Sequence, residues 1–244
     1  MSPATRPTAF VGGLVALVAF TGCVADQPGT DSDDAGVPRP AIAVTGDPGA
    51  ISGAADGIAD AASGIDTVVM IGDSITKGAT PALDERYDLL GLDHLIEAEN
   101  GKRIAVSAPD NASGASIARF LADNGDGDHT DEVWVVALGT NDVGQYASPD
   151  EIAAAVNDVL AAVPDDAALV WVDTYFRDRA DAATELNAIV RDRVTRRGDS
   201  VIAPWTSFAP SEGVLTADGV HPTSDGADVF AFVVTDTVRA FLGR

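Results

Sequence analysis

Short apolar runs alternate along most of the chain with longer segments in which apolar residues recur at helical spacing. The runs are apolar at consecutive positions and rich in Val, which is typical of parallel strands covered on both faces. The predicted strands are Thr67–Ile71, Arg103–Ser107, Glu132–Leu138, Ala168–Asp173 and Ser200–Ala203. Helices are predicted near residues 81–99, 114–122, 149–162 and 180–197, and from Ser224 to Phe241. Repeated β–α units predict a three-layer α/β/α sandwich around a doubly wound, parallel five-stranded sheet, as in flavodoxin-like folds.

The N-terminal apolar segment has a different character. Ala9–Phe20 follows Arg6 and leads into Thr21-Gly22-Cys23. Twelve helical residues span about 18 Å, too short for a hydrocarbon core of about 30 Å, so residues 1–23 are predicted to be a signal peptide. Its end resembles a bacterial lipobox, in which the cysteine becomes the lipidated first residue; the alternative is ordinary cleavage nearby without a lipid. An exported protein with a lipid on Cys23 is therefore expected.

Residues 24–64 are rich in Asp, Gly, Ala, Pro and Ser, and predict a flexible tether before a folded domain over residues 65–244. The formal net charge of −23 repels phosphate backbones and anionic lipid headgroups. It therefore excludes nucleic acid as a partner and leaves the lipid anchor as the only expected membrane contact.

A first candidate for chemistry follows the first predicted strand, at Gly72-Asp73-Ser74. Working groups of doubly wound sheets collect at the carboxyl ends of the strands, and a Gly allows the sharp turn that presents a Ser hydroxyl to a cleft. A Ser at this place is also a common helix cap. No G-x-S-x-G motif occurs in the chain, which argues against an α/β-hydrolase.

Two further motifs follow later in the chain. In Asp218-Gly219-Val220-His221, a carboxylate three residues before a His can curl back onto the ring nitrogen and orient it as a general base. The alternative is a polar turn with an accidental His. In Gly139-Thr140-Asn141-Asp142, after the third strand, the Asn amide is a candidate oxyanion donor, or else part of a turn. The other two histidines, His94 and His129, are predicted to be solvated surface residues.

In this order, the three motifs resemble the blocks of the SGNH (GDSL-type) hydrolase family, over Asp66 to Arg244. The resemblance implies an ester hydrolase in which Ser74 is the nucleophile and Asp218 and His221 complete the catalytic triad. A base activates the hydroxyl and a carboxylate holds the base, as nucleophilic catalysis requires.

The resemblance also implies an oxyanion hole built from the backbone N–H of Ser74, the backbone N–H of Gly114 and the side-chain amide of Asn141. Gly114 is the best match for the family glycine that follows the second strand. The first strand is expected to lie between the second and third, which would place Ser74 between the loops that carry Gly114 and Asn141.

The expected activity is hydrolysis of short-chain carboxylic esters, including O-acetyl groups on envelope carbohydrate, because no insertion long enough for a lid is visible. The alternatives are transacylation of envelope polysaccharide and a non-catalytic, envelope-binding lipoprotein. No cofactor and no metal are expected. The acidic loop Asp123–Asp128 lacks a Glu at the twelfth position of an EF-hand and is predicted to be a solvated turn.

Overall fold

The computed structural model describes residues 64–125 and 127–243. The strands are β1 (Thr67–Gly72), β2 (Asp93–Ala98), β3 (Glu132–Ala137), β4 (Ala168–Val172) and β5 (Ser200–Ala203). The helices are α1 (Ser74–Leu90), α2 (Gly114–Asn124), α3 (Pro149–Leu160), α4 (Ala180–Arg197), α5 (Trp205–Phe208) and α6 (Ser224–Phe241), with short 3₁₀ helices at Thr140–Asp142 and Arg177–Arg179.

The five strands form one parallel sheet in the order β2-β1-β3-β4-β5, which confirms the predicted fold class. Gly72 at the end of β1 is aligned with Ala98 of β2 and Ala137 of β3. The three strands therefore end at the same level, and the segments that follow them emerge side by side at one edge of the sheet. This edge carries the candidate site.

Successive strand residues face opposite sides of the sheet and enter separate cores. Val68 and Met70 of β1 lie in the core that also contains residues of α1, α5 and α6. Val69 and Ile71 lie in the other core, which contains residues of α2, α3 and α4. Burial on both faces explains why the central strands are continuous apolar runs.

The second strand is not where the sequence pattern predicted it. The prediction of a helix over residues 81–99 is wrong in its second half, because α1 ends at Leu90 and β2 follows at Asp93–Ala98. Gly91 takes the left-handed conformation with φ 66°, and its N–H bonds the last turn of α1. An αL glycine is a common way to end a helix. Since β2 is an edge strand with alternating exposed positions, its polar residues masked the strand pattern.

The predicted strand Arg103–Ser107 is an irregular segment. Its backbone groups are satisfied elsewhere: the Arg103 and Ile104 carbonyls accept the N–H groups of Gly114 and Ala115 at the start of α2. Ile104 is completely buried, so the apolar character of the segment reflects core packing outside the sheet.

The predicted signal peptide, Cys23 and nearly all of the predicted tether lie outside the described residues. Within residues 64–125 and 127–243, no helix combines the length and the apolar character needed to cross a membrane.

Candidate active site

Ser74 is the first residue of α1, directly after β1. Asp73 caps this helix, and its Oδ1 accepts the Ile75 N–H at 2.9 Å. A Cβ on Gly72 would lie 2.1 Å from Thr76 Oγ1, so only glycine allows the strand to enter the helix this closely. The cap role foreseen as an alternative for Ser74 belongs to Asp73, which leaves the Ser74 hydroxyl available to the cleft.

The Ser74 hydroxyl meets a histidine and a carboxylate. Ser74 Oγ lies 3.0 Å from His221 Nε2, and His221 Nδ1 lies 2.7 Å from Asp218 Oδ2. An ionised carboxylate only accepts hydrogen bonds, so Nδ1 carries the proton and Nε2 accepts from the Ser74 hydroxyl. The structure therefore brings together the three residues that the sequence motifs singled out, in the order needed to activate a hydroxyl.

The loop before α6 fixes the carboxylate. Asp218 Oδ1 accepts the N–H groups of Val220 and His221 at 2.9 and 3.0 Å, and the Thr216 hydroxyl at 2.8 Å. Gly219 has φ 71°, which lets the loop curl so that Asp218 faces the imidazole. Hydrogen bonds, first that of the His221 side chain, hold the pKa of Asp218 well below its usual range. The carboxylate thus stays ionised and keeps the imidazole oriented.

Asn141 lies in the 3₁₀ turn after β3, beside the start of α1. Its Nδ2 is 3.1 Å from the Lys102 carbonyl oxygen and 3.3 Å from Asp73 Oδ2. Both partners are acceptors, so the orientation of the amide follows from the network. The amide nitrogen is held between the Lys102 carbonyl and the side chain of Asp73, the residue before Ser74, and its role as an oxyanion donor stays a prediction.

Gly114 does not occupy the place expected of it. Its N–H donates to the Arg103 carbonyl at 2.8 Å, inside the junction between the irregular segment and α2. A Cβ here would lie 2.1 Å from Leu138 Cδ1, which explains the glycine by close packing. The prediction that the Gly114 amide faces an oxyanion is therefore corrected, since that donor is already used within the fold.

The glycine that follows the true second strand is Gly101, which the sequence analysis missed. The Glu99 N–H bonds the Gly72 carbonyl, and the Lys102 N–H closes a turn onto the Glu99 carbonyl. Gly101 lies in this turn with φ 74°, and within the described part of the chain its N–H has no hydrogen-bond partner. The signal that could have found it is the Asn100-Gly101 dipeptide, which is typical of a turn.

Two carboxylates lie buried behind the exposed triad. Burial raises the pKa of Asp73 to about 6, against the opposing hydrogen bond from the Ile75 N–H. Asp142 is completely buried and accepts from Arg103 Nε, the Tyr146 hydroxyl and the Ile104 N–H, but burial still raises its pKa. Asp142 therefore holds the segment that follows Lys102 in place. The carbonyl oxygen of Lys102 in turn accepts from the Asn141 amide and positions it.

The other two histidines are less solvated than predicted. His94 lies half-buried on β2, with Nε2 3.1 Å from Asp84 Oδ1. His129 is buried, and its Nδ1 is 2.8 Å from Glu132 Oε2. Both contacts are local, because the carboxylates lie ten and three residues from their histidines in the chain. Among the described residues, no group of three or more His, Cys, Asp or Glu side chains is arranged to hold a metal ion.

The family is decided by a match over residues 70–229, about two thirds of the chain, to the model of the GDSL-like lipase/acylhydrolase family. The chain belongs to this family. The GDSL-type resemblance inferred from the motifs is thereby confirmed, and the protein is a carboxylic ester hydrolase by family. The matched region contains Ser74, Asn141, Asp218 and His221. Among curated proteins, none matches the sequence.

Solved structures share the fold of this GDSL-type hydrolase at low sequence identity. A carbohydrate acetylesterase family member from Sinorhizobium meliloti is 18% identical with a TM-score of 0.57, over 74% of this chain and 100% of that one. The catalytic domain of the peptidoglycan O-acetyltransferase A of Streptococcus pneumoniae is 18% identical, with a TM-score of 0.55 over 73% and 96%. A family 3 carbohydrate esterase from Clostridium thermocellum is 16% identical, with a TM-score of 0.54 over 73% and 98%.

Proposed function

We propose that this GDSL-type hydrolase cleaves short-chain carboxylic esters through an acyl-enzyme on Ser74. The observation that carries the proposal is the continuous hydrogen-bond chain from Ser74 Oγ through His221 to Asp218, at 3.0 and 2.7 Å. A binding protein has no need for a hydroxyl, a base and a carboxylate in this order, whereas nucleophilic catalysis requires all three.

In the first half of the proposed reaction, His221 Nε2 takes the proton of the Ser74 hydroxyl while Oγ attacks the ester carbonyl carbon. The imidazolium that forms is stabilised by Asp218, which is held ionised by its hydrogen bonds. His221 then gives this proton to the leaving oxygen as the bond between that oxygen and the carbonyl carbon breaks. The products of this half are an alcohol and an acylated Ser74.

Water completes the cycle. His221 takes a proton from water as the water oxygen attacks the acyl carbon, and the same proton passes to Ser74 Oγ when the acyl–oxygen bond breaks. The free acid leaves, and the hydroxyl and neutral imidazole are restored. No group outside the triad, the ester and water is needed for the atoms to balance.

The negative oxygen of each tetrahedral intermediate needs donors that are already in place. We assign this role to the Ser74 N–H, the Gly101 N–H and Asn141 Nδ2. The Ser74 N–H lies in the first turn of α1, where a helix offers no internal acceptor. Asn141 would exchange its longer contact, at 3.3 Å to Asp73, for the oxyanion.

The proposed substrates are acetyl esters on envelope carbohydrate. The similar folds include a carbohydrate acetylesterase family member and a peptidoglycan O-acetyltransferase, which supports small acyl groups on sugars. The predicted export signal and the lipobox-like position of Cys23 support a location outside the membrane, anchored by a lipid. An exported, tethered esterase would meet such polymers directly.

The experiment for the nucleophile compares Ser74→Ala with Ser207→Ala in the full chain. Ser207 is an exposed serine on α5 and serves as the matched control. Ser74→Ala should abolish hydrolysis of p-nitrophenyl acetate, and Ser207→Ala should not change it. A sulfonyl fluoride should add to the Ser74 peptide of the wild type, detected by mass. Full activity of Ser74→Ala would refute the mechanism.

The location is tested separately. With Cys23 lipidated, the expressed protein should sediment with membranes, and Cys23→Ala should appear in the soluble fraction. A wild-type protein found only in the soluble fraction would refute the anchor and leave the esterase proposal untouched.

A further inference from the structure

A cleft of about 390 Å³ opens beside the triad, between α1 and the start of α6. Ser74 and His221 line one part of it. The rest of the wall combines small apolar side chains, among them Pro81, Ala82 and Ala227, with the polar side chains of Thr223, Ser224 and Asp228. The cleft is therefore continuous with the reacting atoms and wide enough for a group larger than an acetyl.

A larger hollow of about 730 Å³ lies next to Arg103, Tyr146 and Asn157. Neither Ser74 nor His221 lines it, so its volume does not mark the place where an ester reacts. The smaller cleft is the one in contact with the nucleophile and the base.

The reaction itself fixes which part of an ester lies on which side. The carbonyl oxygen must face the donors near Asn141 and Gly101, beside the ends of β2 and β3. The leaving oxygen must lie within hydrogen-bond reach of His221 Nε2, because that nitrogen delivers its proton. Whatever is attached to the leaving oxygen therefore extends past His221, along the side where α6 begins.

We infer that the cleft between α1 and α6 binds the alcohol portion of the ester, a carbohydrate unit, and that Ala227, Ser224 and Asp228 determine which alcohols fit. This inference rests on the proposed function and adds the orientation of the substrate to it. A single sugar ring fits into about 390 Å³, which leaves the acyl group on the other side of Ser74.

The chemistry of the walls suits a sugar. Within the described chain, the Ser224 hydroxyl and the Asp228 carboxylate make no hydrogen bond, so both can bond sugar hydroxyls. The Asp228 charge also stabilises the Arg86 cation on α1, which keeps this carboxylate ionised at the wall of the cleft. Thr223 differs, since its hydroxyl bonds the Gly213 carbonyl and accepts the Gly226 N–H. Ala227 adds an apolar surface that can pack against the C–H face of a ring.

The test narrows the cleft with Ala227→Leu. Its matched control is Ala240→Leu, on the same helix but thirteen residues further, about 20 Å at 1.5 Å per residue. Both alanines are partly buried. One substrate series varies the alcohol of acetyl esters, from ethyl to 4-methylumbelliferyl to an acetylated oligosaccharide. The other varies the acyl group of p-nitrophenyl esters from acetyl to octanoyl.

Ala227→Leu should lower kcat/KM increasingly with alcohol size, by roughly tenfold or more for the oligosaccharide, because a few added carbons in a pocket discriminate on that scale. The relative preference among acyl lengths should stay that of the wild type. Hydrolysis of the preformed acetyl-enzyme, measured after the burst of p-nitrophenol, should also keep its rate, because the alcohol has already left. Ala240→Leu should match the wild type throughout.

Asp228→Ala provides a second measurement that does not fill the cleft. It should lower kcat/KM for the acetylated oligosaccharide more than for p-nitrophenyl acetate, by roughly tenfold for a lost charged hydrogen bond. A changed acyl-length preference in Ala227→Leu, with all alcohols affected equally, would overturn the assignment and place the acyl chain in the cleft. A wild type that turns over none of the esters would instead contradict the proposed function itself.

Discussion

The two halves of the site are built in different ways. The half with His221 and Asp218 is exposed and local, since the carboxylate and the imidazole it orients are three residues apart. The half with Asn141 is only partly exposed and is assembled from distant segments, with bonds to the buried Asp73 and Lys102 across 68 and 39 residues; we call it the buried half. The first half is set by a loop conformation, and the second depends on the packing of the sheet edge.

The carboxylates show the same contrast in their protonation. Hydrogen bonds lower the pKa of Asp218, whereas burial raises that of Asp73 to about 6. A carboxylate that must hold an imidazolium is kept ionised by donors from its own loop. Asp73, by contrast, caps α1 and accepts from the Asn141 amide in a buried place. Burial removes water from its carboxylate and so raises its pKa.

The largest expected effect comes from the exposed half. Asp218→Asn should keep the loop but remove the charge that fixes the imidazole tautomer, and kcat should fall on the order of 10⁴-fold, as for the corresponding change in serine proteases. Asp110→Asn, at an exposed loop position, is the control. Steady-state kinetics with p-nitrophenyl acetate measure both, and a drop below tenfold in Asp218→Asn would mean that His221 is oriented by other contacts.

The buried half should respond less to loss of a single group. Asn141→Ala removes one proposed oxyanion donor and should lower kcat by roughly 10²–10³, with little change in KM. The exposed Asn157→Ala is the control. If Asn141→Ala raises KM and leaves kcat intact, the amide serves substrate binding and not the transition state.

Asp73 gives the comparison a pH dependence. Its folded pKa of about 6 lies above the ordinary aspartate value of 3.8, so between these values the folded state binds more protons than the unfolded chain. Raising the pH through this window therefore lowers the contribution of Asp73 to the free energy of unfolding. The decrease is up to about 3 kcal/mol, at about 1.4 kcal/mol per pKa unit.

Asp73→Asn keeps a helix-capping side chain but removes the titration. The free energy of unfolding of the variant minus that of the wild type should therefore increase as the pH rises from 4 to 7. Urea unfolding at several pH values measures this, with Asp110→Asn as the control. Parallel pH profiles of the Asp73 variant and the wild type would show that Asp73 does not titrate in this window.

The smallest expected effects distinguish Gly101 from Gly114 as the oxyanion donor. Gly114→Ala places a Cβ against Leu138 and should lower stability by about 1–3 kcal/mol, as overpacking does, without a specific loss of kcat. At Gly101 the nearest atom to a new Cβ is 3.9 Å away, so Gly101→Ala strains only the φ of 74° of the turn. It should cost roughly 1 kcal/mol in stability and lower kcat. Thermal unfolding and kcat are measured for both variants. A loss of kcat in Gly114→Ala but not in Gly101→Ala would return the oxyanion role to Gly114.

Much of the architecture followed from local patterns. Strands β1, β3, β4 and β5 are central or well-covered apolar runs, and their predicted positions are confirmed to within a residue or so. Helices α4 and α6 begin and end as predicted. The prediction of the edge strand β2 was wrong because none of its residues is fully buried, so it lacks the apolar run of the central strands. Its pattern could be distinguished from a continued helix only by taking Gly91 as the end of α1.

The sequence by itself determined the residues of the exposed half, because Asp218 and His221 are neighbours in the chain and Ser74 follows an unmistakable strand. Tertiary structure alone decided the buried half. Gly101 and Gly114 both follow plausible strands, and only the pairing of β2 with β1 brings the Gly101 turn to the edge next to Gly72. Strand pairing depends on burial of side chains far apart in the chain, so no local pattern could choose between the two glycines.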